Sequence, residues 1–272
     1  MRKTSFVVVF LLSIFGFAQP AFAAEQFPHR AKFKEVRIIE RDALYRDLDS
    51  SIVIDVRSKY EFDTMHIKGA THIALNSLKF IDEVKKLRAA STKPIVFYCN
   101  GVTCKKSYEA TKKAMDAGIT NCFAYDAGLY GWAKSHPDRS VLLGKSPMNA
   151  EDFIEKKTYK ARVLSADAFE SRIGPNAIVL DIRDLRQRDN QLFPFREQRA
   201  QLDEAEKIAT VVQEARTKNK ALLVYDKTGR QSPWFQYYLE QRGLKDYYFL
   251  DGGAEGYFEA RYGKLKVSMP DA

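Results

Sequence analysis

IVFYCNGVTCKKS, residues Ile95–Ser107, is the stretch that decides how this chain folds. It opens with a short run of β-forming residues, too short for a helix, that reaches Cys99 and is followed by a turn-forming Asn-Gly pair. A second copy, LLVYDKTGRQS, occupies Leu222–Ser232 and has Asp226 where the first copy has its cysteine. The two stretches predict two strand-loop-helix units, and only the first unit can carry out thiol chemistry.

The residues after the first loop have the spacing of a helix. Residues 107–118 end at Gly118, which suits a helix C-terminus. The residues that fall roughly on one face of this helix are Tyr108, Ala110, Thr111, Met115 and Ala117.

A cysteine between a strand end and a helix start lies among main-chain N–H groups and near the positive end of the helix dipole. That position favours the thiolate and binds anions. We expect the cations Lys105 and Lys106 to lower the pKa of Cys99 further. The alternative is that Cys99 is a buried structural cysteine, which is the commoner state of a free thiol.

The chain repeats itself over a length typical of whole domains. IVIDVR (Ile52–Arg57) recurs 126 residues further on as IVLDIR (Ile178–Arg183). The glycine and aspartate anchors that recur 125 residues further on are Gly118, Asp126, Gly128 and Gly131, matched by Gly243, Asp251, Gly253 and Gly256. Each copy alternates short apolar strands with helical stretches, which predicts α/β units on parallel sheets.

These motifs together resemble the rhodanese (sulfurtransferase) family. VIDVRSKYEF and HIKGATHIAL (His66–Leu75) are similar to its Asp-x-Arg and His-Ile-x-Gly-Ala segments, YCNGVTCKKS to its active loop, and YDAGLYGW (Tyr125–Trp132) to its closing strand. The resemblance covers residues 34–135 and, more weakly, 161–258, where QLFPFREQRAQLDEA replaces the His-Ile-x-Gly-Ala segment. It implies a tandem protein of two rhodanese-like domains, each a parallel sheet flanked by helices on both faces.

The predicted organisation has four parts. They are a signal peptide at 1–23, a catalytic rhodanese domain at 34–140, a linker at 141–160 and a degenerate rhodanese domain at 161–265. Glycine, proline and asparagine mark the linker, and Asn149 with Asp152 predicts the start of a short connecting helix.

The N-terminus has the pattern of an export signal. Arg2 and Lys3 precede an apolar stretch from Phe6 to Ala18, and a small-x-small site predicts cleavage before Ala24. The apolar stretch is shorter than the ~20 residues that a bilayer-spanning helix requires. We therefore expect a protein exported to a bacterial periplasm, with no stable membrane insertion after signal cleavage.

The charge of the chain is compatible with an anionic substrate. The formal net charge is +9 and is spread along the sequence, which helps to attract small anions. The densest basic stretch, KKTYKAR (Lys156–Arg162), falls between the predicted domains. A solvated linker explains it more simply than a nucleic-acid surface, so no nucleic-acid partner is expected.

The resemblance implies a persulfide mechanism without a cofactor or a metal. Cys99 would take the sulfane sulfur of a small anionic donor such as thiosulfate and pass it to a thiol or protein acceptor. The loop residues whose main chain would stabilise the negative charge are Asn100, Gly101, Val102, Thr103, Cys104, Lys105 and Lys106.

Other polar residues of the motifs are expected to support the site rather than to react. Asp55 and Arg57 are interpreted as a buried ion pair that orders the strand-to-loop turn, with Ser107 at the helix start. His66 and His72 are interpreted as structural.

The first loop is longer than the second, which leaves other functions open. Ser232 lies six positions after Asp226, but Ser107 lies eight positions after Cys99. A longer loop suits a larger anion, and the fold is shared with phosphatases and arsenate reductases whose loops run Cys, five residues, Arg. Lys105 stands at that arginine position and lacks the bidentate fork, so sulfur transfer is favoured over oxyanion chemistry.

Two further alternatives concern turnover and redox chemistry. In the first alternative, the protein is a periplasmic sulfur carrier or partner-binding module. It would then show little turnover of free thiosulfate. In the second alternative, Cys104 forms a disulfide with Cys99 or takes part in thiol-redox chemistry. The simpler interpretation is that Cys104 is a small loop residue with no redox role, because disulfide geometry is demanding. Cys122, in an apolar stretch, is expected in the core.

The second domain is expected to be inert. Its Asp226 carboxylate would itself occupy the ring of N–H donors and repel an anionic donor. The domain is then either a scaffold for the first domain or a docking surface. Among the aromatic residues after its loop, Trp234 is the candidate for exposure and partner contact.

Overall fold

The computed structural model describes residues 27–188 and 190–263. The predicted signal peptide at 1–23 lies outside these residues. Among the helices of the described ranges, none has both the length and the apolar character needed to cross a bilayer.

The N-terminal half contains a parallel sheet and a short antiparallel ribbon. Its strands are β1 (Ile52–Asp55), β2 (Met65–Ile67), β3 (Thr71–His72), β4 (Ile95–Tyr98), β5 (Cys122–Tyr125) and β6 (Ser140–Leu142). Strands β3, β1, β4 and β5 form the parallel sheet in that order, and β2 pairs with β6 to form the ribbon.

Helices cover both faces of this sheet. They are α1 (Arg41–Arg46), α2 (Lys59–Thr64), α3 (Phe80–Ala90), α4 (Lys106–Asp116) and α5 (Gly128–Ser135). Because alternate strand residues point to opposite faces, Val96 and Tyr98 pack with Trp132 on one side, while Phe97 packs with Phe80 on the other.

The C-terminal half repeats this architecture. Its strands are β7 (Val163–Leu164), β8 (Ala177–Asp181), β9 (Glu197–Arg199), β10 (Ala221–Tyr225) and β11 (Tyr247–Leu250), which form a parallel sheet in the order β7, β11, β10, β8, β9. Its helices are α6 (Lys156–Lys160), α7 (Ala166–Glu170), α8 (Ala205–Thr217), α9 (Ser232–Gln241) and α10 (Gly253–Tyr262). The α/β architecture of two parallel sheets is confirmed.

The helix predicted after the first loop is confirmed as α4. It begins one residue earlier than the predicted Ser107 and ends at Asp116. Gly118 has a φ of +78°, the left-handed conformation expected just after a helix. Its buried face includes Tyr108 and Ala110 as predicted. Ala114, which was not predicted, is also fully buried.

The segment at 141–160 contains regular structure. After β6 ends, a 3₁₀ turn spans Ala150–Asp152, and the Asn149 side chain caps it by accepting a hydrogen bond from the Glu151 N–H at 3.3 Å. This short helical turn agrees with the predicted connecting helix. The basic stretch that follows forms α6, most of whose lysines are exposed.

Helix α9 joins the two halves because it is apolar on two sides. Phe235 and Leu239 pack in the core of their own domain. Trp234 and Tyr237 instead lie in a core cluster of the first domain, where Trp234 stacks on Tyr130 with 5.1 Å between the ring centroids. Trp234 is only 1% exposed, so the expectation of an exposed tryptophan is wrong. The reason is that both sides of the helix are covered.

Candidate functional site

Cys99 follows β4, a strand in the interior of the first sheet, and is fully buried. Its Sγ atom lies 3.8 Å from the Ser107 Oγ atom and 3.4 Å from the carbonyl oxygen of Cys104. The strand end and the first turn of α4 therefore meet at this thiol. The predicted site residues Cys99, Cys104 and Ser107 are brought together.

Asp55 and Arg57 form the predicted buried ion pair. The Arg57 Nε atom donates to Asp55 Oδ1 at 2.9 Å and its Nη2 atom donates to Oδ2 at 2.6 Å. Strand β1 pairs with β4 so that Asp55 lies opposite Tyr98, next to the nucleophile position. The ion pair thus stands beside Cys99.

Arg57 also fixes the first residue of the loop. Its Nη1 atom donates to the Asn100 Oδ1 atom at 3.1 Å, and the Asn100 Nδ2 atom donates to Glu61 Oε1 at 2.9 Å. Glu61 closes the capping box of α2 with Ser58. The side chain of Asn100 is therefore held at both ends, which orients the start of the loop.

A tight turn bends the rest of the loop back toward Cys99. The Cys104 N–H donates to the Gly101 carbonyl at 2.8 Å. Gly128, at the start of α5, approaches this turn with a φ of +63°, and a Cβ atom there would lie 2.4 Å from the Gly101 nitrogen. Val102 is half-buried and Thr103 is exposed. The first half of the loop is thus held against α5.

The expectation that lysines lower the pKa of Cys99 is wrong. Burial raises the pKa of the Cys99 thiol well above its ordinary value, and the neighbouring Cys104 raises it further. The Lys105 Nζ atom pairs instead with Glu109 Oε1 at 2.9 Å, along the surface of α4. Lys105 is close to Cys99 in sequence, but its ammonium group pairs with Glu109 instead of the Cys99 thiol.

The pKa of Cys104 shifts in the opposite direction from that of Cys99. Its pKa is lowered to about 6, chiefly because the Cys99 thiol acts as a donor to it, and also by the main-chain N–H groups of Lys106 and Asn100 and the charge of Lys106. Both cysteines are free thiols. The surroundings therefore favour the protonated form of Cys99 and the thiolate form of Cys104.

The second domain has a carboxylate at the position of Cys99. Asp226 Oδ1 accepts N–H donors from Thr228 at 2.9 Å and from Gly229. Its Oδ2 atom accepts from the Gln231 N–H at 2.5 Å, the Ser232 N–H at 2.8 Å and the Ser232 Oγ at 3.1 Å. The carboxylate occupies the ring of donors, as the sequence predicted.

Ser107 and Ser232 occupy corresponding places, each with its hydroxyl next to the residue at the strand end. Helix α9 begins at Ser232, whereas α4 begins one residue before Ser107. One of the two extra residues of the first copy therefore belongs to the helix, and the other lengthens the loop.

The histidines of the motif lie within hydrogen-bond distance of main-chain carbonyls, and both rings pack near the Phe62 ring. His66 Nδ1 lies 2.7 Å from the Phe62 carbonyl oxygen, and His72 Nε2 lies 3.0 Å from that of Arg57. Burial lowers the pKa of His66. In the described part of the chain, no three His, Cys, Asp or Glu side chains gather as metal ligands would.

Sequence reasoning missed the N-terminal segment that covers this site. Arg30 donates to both oxygens of the buried Asp126, at 2.7 and 3.1 Å, and the Tyr108 hydroxyl donates to the same carboxylate at 2.6 Å. His29 Nε2 lies 3.0 Å from the carbonyl oxygen of Thr103 in the loop. Asp126 was visible as an anchor of the repeat, but residues 29 and 30 belong to no motif and gave no signal.

The chain is similar to known proteins in both of its halves. The model of the rhodanese-like domain family matches residues 40–135 and again residues 155–260. The thiosulfate sulfurtransferase from Pseudomonas aeruginosa is 20% identical, with a match that covers 86% of this chain and 46% of that one and a TM-score of 0.37. No curated protein sequence shows significant similarity.

Two shorter solved structures match part of the chain. A human single-domain sulfurtransferase is 21% identical, with 36% of this chain and 96% of that one covered and a TM-score of 0.31. A rhodanese-related protein from Thermoplasma volcanium is 20% identical, with coverages of 36% and 92% and a TM-score of 0.30.

Proposed function

Because the chain belongs to the rhodanese-like domain family, with a match in each half, we propose that it is a sulfurtransferase whose reacting group is Cys99. Cys99 takes the outer sulfur of thiosulfate or a related small anionic donor. It then passes this sulfur to a thiol or protein acceptor. The reaction needs no cofactor, because the cysteine itself carries the transferred atom.

The observation that carries the proposal is the anion held in the second copy of the loop. The Asp226 carboxylate accepts five hydrogen bonds from the main chain and the serine hydroxyl of that loop. A persulfide on Cys99 would place its charged outer sulfur at the corresponding point of the first loop. The second copy therefore indicates which charge this frame is built to stabilise.

The first chemical step balances with the groups that are present. The Cys99 sulfur attacks the outer sulfur of thiosulfate, the S–S bond of the donor breaks, and sulfite leaves with the electron pair of that bond. The Cys99 proton leaves with the sulfite, which is itself a base near neutral pH. No histidine base is required.

Access to Cys99 requires movement of the loop. The thiol is fully buried, so a donor reaches it only when the turn at 101–104 shifts outward. Lys105 and Lys106, next to this turn, are exposed and add positive charge where an anion would arrive.

Oxyanion chemistry is the weaker alternative. The cation that stands at the arginine position of phosphatase loops, Lys105, is paired with Glu109 on the helix surface. It does not face the interior of the loop, where a tetrahedral anion would bind. Sulfur transfer requires only the main-chain donors.

We infer that the second domain is an inert scaffold. Its loop carries no cysteine and its donors are already occupied by Asp226. Helix α9 instead places Trp234 against the first domain, with 4.8 Å between the Arg57 guanidinium and the ring centroid. The domain thus supports the arginine that orients the active loop.

We infer further that the protein works in the periplasm, after cleavage before Ala24. The test is N-terminal sequencing of the protein recovered from the periplasmic fraction of its source cells. A mature chain that begins at Ala24 supports the inference. Recovery of an uncleaved chain in the cytosol contradicts it.

A turnover assay with thiosulfate and cyanide tests the proposed function. Replacement of the nucleophile in Cys99→Ser is expected to lower thiocyanate formation at least ~1000-fold, because no other group carries the intermediate. Cys122→Ser is the matched control, since Cys122 lies at the start of β5 with its Sγ atom 3.5 Å from the Ile119 carbonyl. Full activity in Cys99→Ser would refute the proposal. Stoichiometric loading without turnover would favour the sulfur carrier.

A further inference from the structure

We propose that Cys104 is a second reactive thiol of this site, which converts the Cys99 persulfide into a Cys99–Cys104 disulfide and releases the transferred sulfur as hydrosulfide. The inference rests on the proposed function, because Cys104 needs a persulfide to attack. It adds a second activity, donor reduction, to sulfur transfer.

The fold of the loop brings Cys104 back over Cys99. The Cys104 N–H donates to the Gly101 carbonyl at 2.8 Å, which closes the turn. The Cys104 carbonyl oxygen lies 3.4 Å from the Cys99 Sγ atom. Both side chains belong to the same apolar cluster, in which Cys99 is buried and Cys104 partly buried. The two thiols are therefore neighbours in the resting state.

The Cys104 sulfur stands where the loop binds negative charge. The main-chain N–H groups of Lys106 and Asn100 lower the pKa of this thiol. Lys106 precedes the helix serine, as Gln231 does in the second domain, where the Gln231 N–H donates to the Asp226 carboxylate. The main-chain N–H just before the helix serine thus acts on a sulfur in the first loop and on a carboxylate in the second.

The charges of the two sulfurs suit this sequence of steps. The pKa of Cys104 is lowered to about 6, while burial keeps the pKa of Cys99 high. Cys104 therefore favours the thiolate, the form that attacks a sulfur–sulfur bond. It lies next to the sulfur on which the persulfide forms.

The resolving step balances without an external reagent. The Cys104 sulfur attacks the inner sulfur of the Cys99 persulfide, and a new S–S bond forms between the two cysteines. The bond between the inner and outer sulfur breaks, and the outer sulfur leaves with its electron pair, takes a proton from water and is released as hydrosulfide. The two cysteines are oxidised and the outer sulfur is reduced. Repeated turnover then requires a dithiol reductant, which restores both thiols.

A single-turnover experiment separates this inference from the proposed function. The full chain is reduced, freed of reductant and mixed with thiosulfate in the absence of cyanide, and sulfite and hydrosulfide are measured separately. We expect about one equivalent of each per chain, and a Cys99–Cys104 linked peptide in a non-reducing digest.

Two variants complete the test. Cys104→Ala is expected to lower hydrosulfide release at least ~10-fold and to leave the persulfide on Cys99, whereas Cys122→Ala should release as much hydrosulfide as the unmodified chain. If Cys104→Ala does not fold, the presence or absence of the Cys99–Cys104 linked peptide in the unmodified chain still tests the inference. Sulfite without hydrosulfide, or hydrosulfide without the Cys99–Cys104 link, would overturn the inference alone. Absence of both products would overturn the proposed function and this inference together.

Discussion

Two cysteines of one loop differ in protonation because their surroundings differ. Cys99 is enclosed by apolar side chains, so the charged form of its thiol is disfavoured. Cys104 receives N–H donors and lies near the Lys106 charge, so its charged form is favoured. Both residues are cysteines of the same loop, so residue type does not explain the difference. The positions of the donors around each sulfur decide which one is ionised.

This difference predicts an ordered reaction with iodoacetamide. The Cys104 thiolate fraction rises as pH rises through about 6, so alkylation of Cys104 should increase between about pH 5 and pH 7 and then level off. Cys99 and Cys122, both buried with raised pKa values, should react slowly over that range. Peptide mapping after short labelling at several pH values checks this. Labelling of Cys99 before Cys104 would contradict the assignment of the thiolate.

The Asp226 carboxylate should stabilise the second domain. In Asp226→Ala the buried N–H groups of Gln231 and Ser232 lose their acceptor, so we expect a loss of about 2 kcal/mol in the free energy of unfolding. Urea unfolding measures the loss, with the exposed Asp203→Ala as control. Equal unfolding midpoints for the two variants would show that the loop donors do not need the carboxylate.

At the scale of elements, the loop is held between α4 and α5. The N–H groups of Leu129 and Tyr130 donate to the carbonyls of Cys99 and Asn100 at 2.8 and 3.0 Å. This contact brings the start of α5 against the turn of the loop, and only a residue without a Cβ atom fits at Gly128. Gly128, one of the glycine anchors of the repeat, is thus explained by the close approach of two elements.

Gly128→Ala should therefore displace the loop. Its Cβ atom would lie 2.4 Å from the Gly101 nitrogen, and the φ of +63° adds strain of about 1–2 kcal/mol. We expect the rate of persulfide formation on Cys99 to fall at least ~10-fold, because the site geometry is lost.

Gly131→Ala is the matched control for this change. A Cβ atom at Gly131, within the same helix, would lie 3.6 Å from the Ala127 Cβ atom, an ordinary contact. This variant should keep the rate of the unmodified chain in a stopped-flow measurement of sulfite release. Equal rates in both variants would show that the close approach at Gly128 does not position the loop.

The elements were predictable from sequence because they depend on local patterns. The strand before Cys99, helix α4 and the Asp55–Arg57 pair follow from short apolar runs and from the need of a buried charge for a partner. The ionisation of Cys104 was not predictable, since it depends on where the loop turns back. The contact of Arg30 with Asp126 was also invisible, because it joins residues far apart in the chain.

At the scale of the whole molecule, the second domain reaches the active loop of the first through α9. Trp234 lies against Arg57, and Arg57 holds Asn100. The Tyr237 hydroxyl accepts a hydrogen bond from the Ile154 N–H at 3.2 Å, which ties the same helix to the segment between the domains. The sequence predicted an exposed Trp234 on α9. The residues that bury it belong to the first domain, and the sequence of α9 does not show that contact.

Removal of Trp234 should therefore affect chemistry in the other domain. Trp234→Ala and Phe235→Ala each remove a buried aromatic ring and should each cost about 3–5 kcal/mol of stability. Phe235 packs in the core of its own domain and serves as the matched control. Under conditions where both variants are folded, only Trp234→Ala should slow the loading of Cys99. Equal loading rates would show that the second domain does not support the loop.

The central claim is that Cys99 alone accepts the sulfane sulfur. The most direct measurement uses thiosulfate radiolabelled in its outer sulfur, added to Cys104→Ala so that the persulfide is not resolved, followed by non-reducing digestion and peptide separation. We expect the label on the peptide that contains Cys99, and we expect cyanide to remove it as labelled thiocyanate. Label on the Cys122 peptide, or a folded protein that takes up no label, would contradict the account.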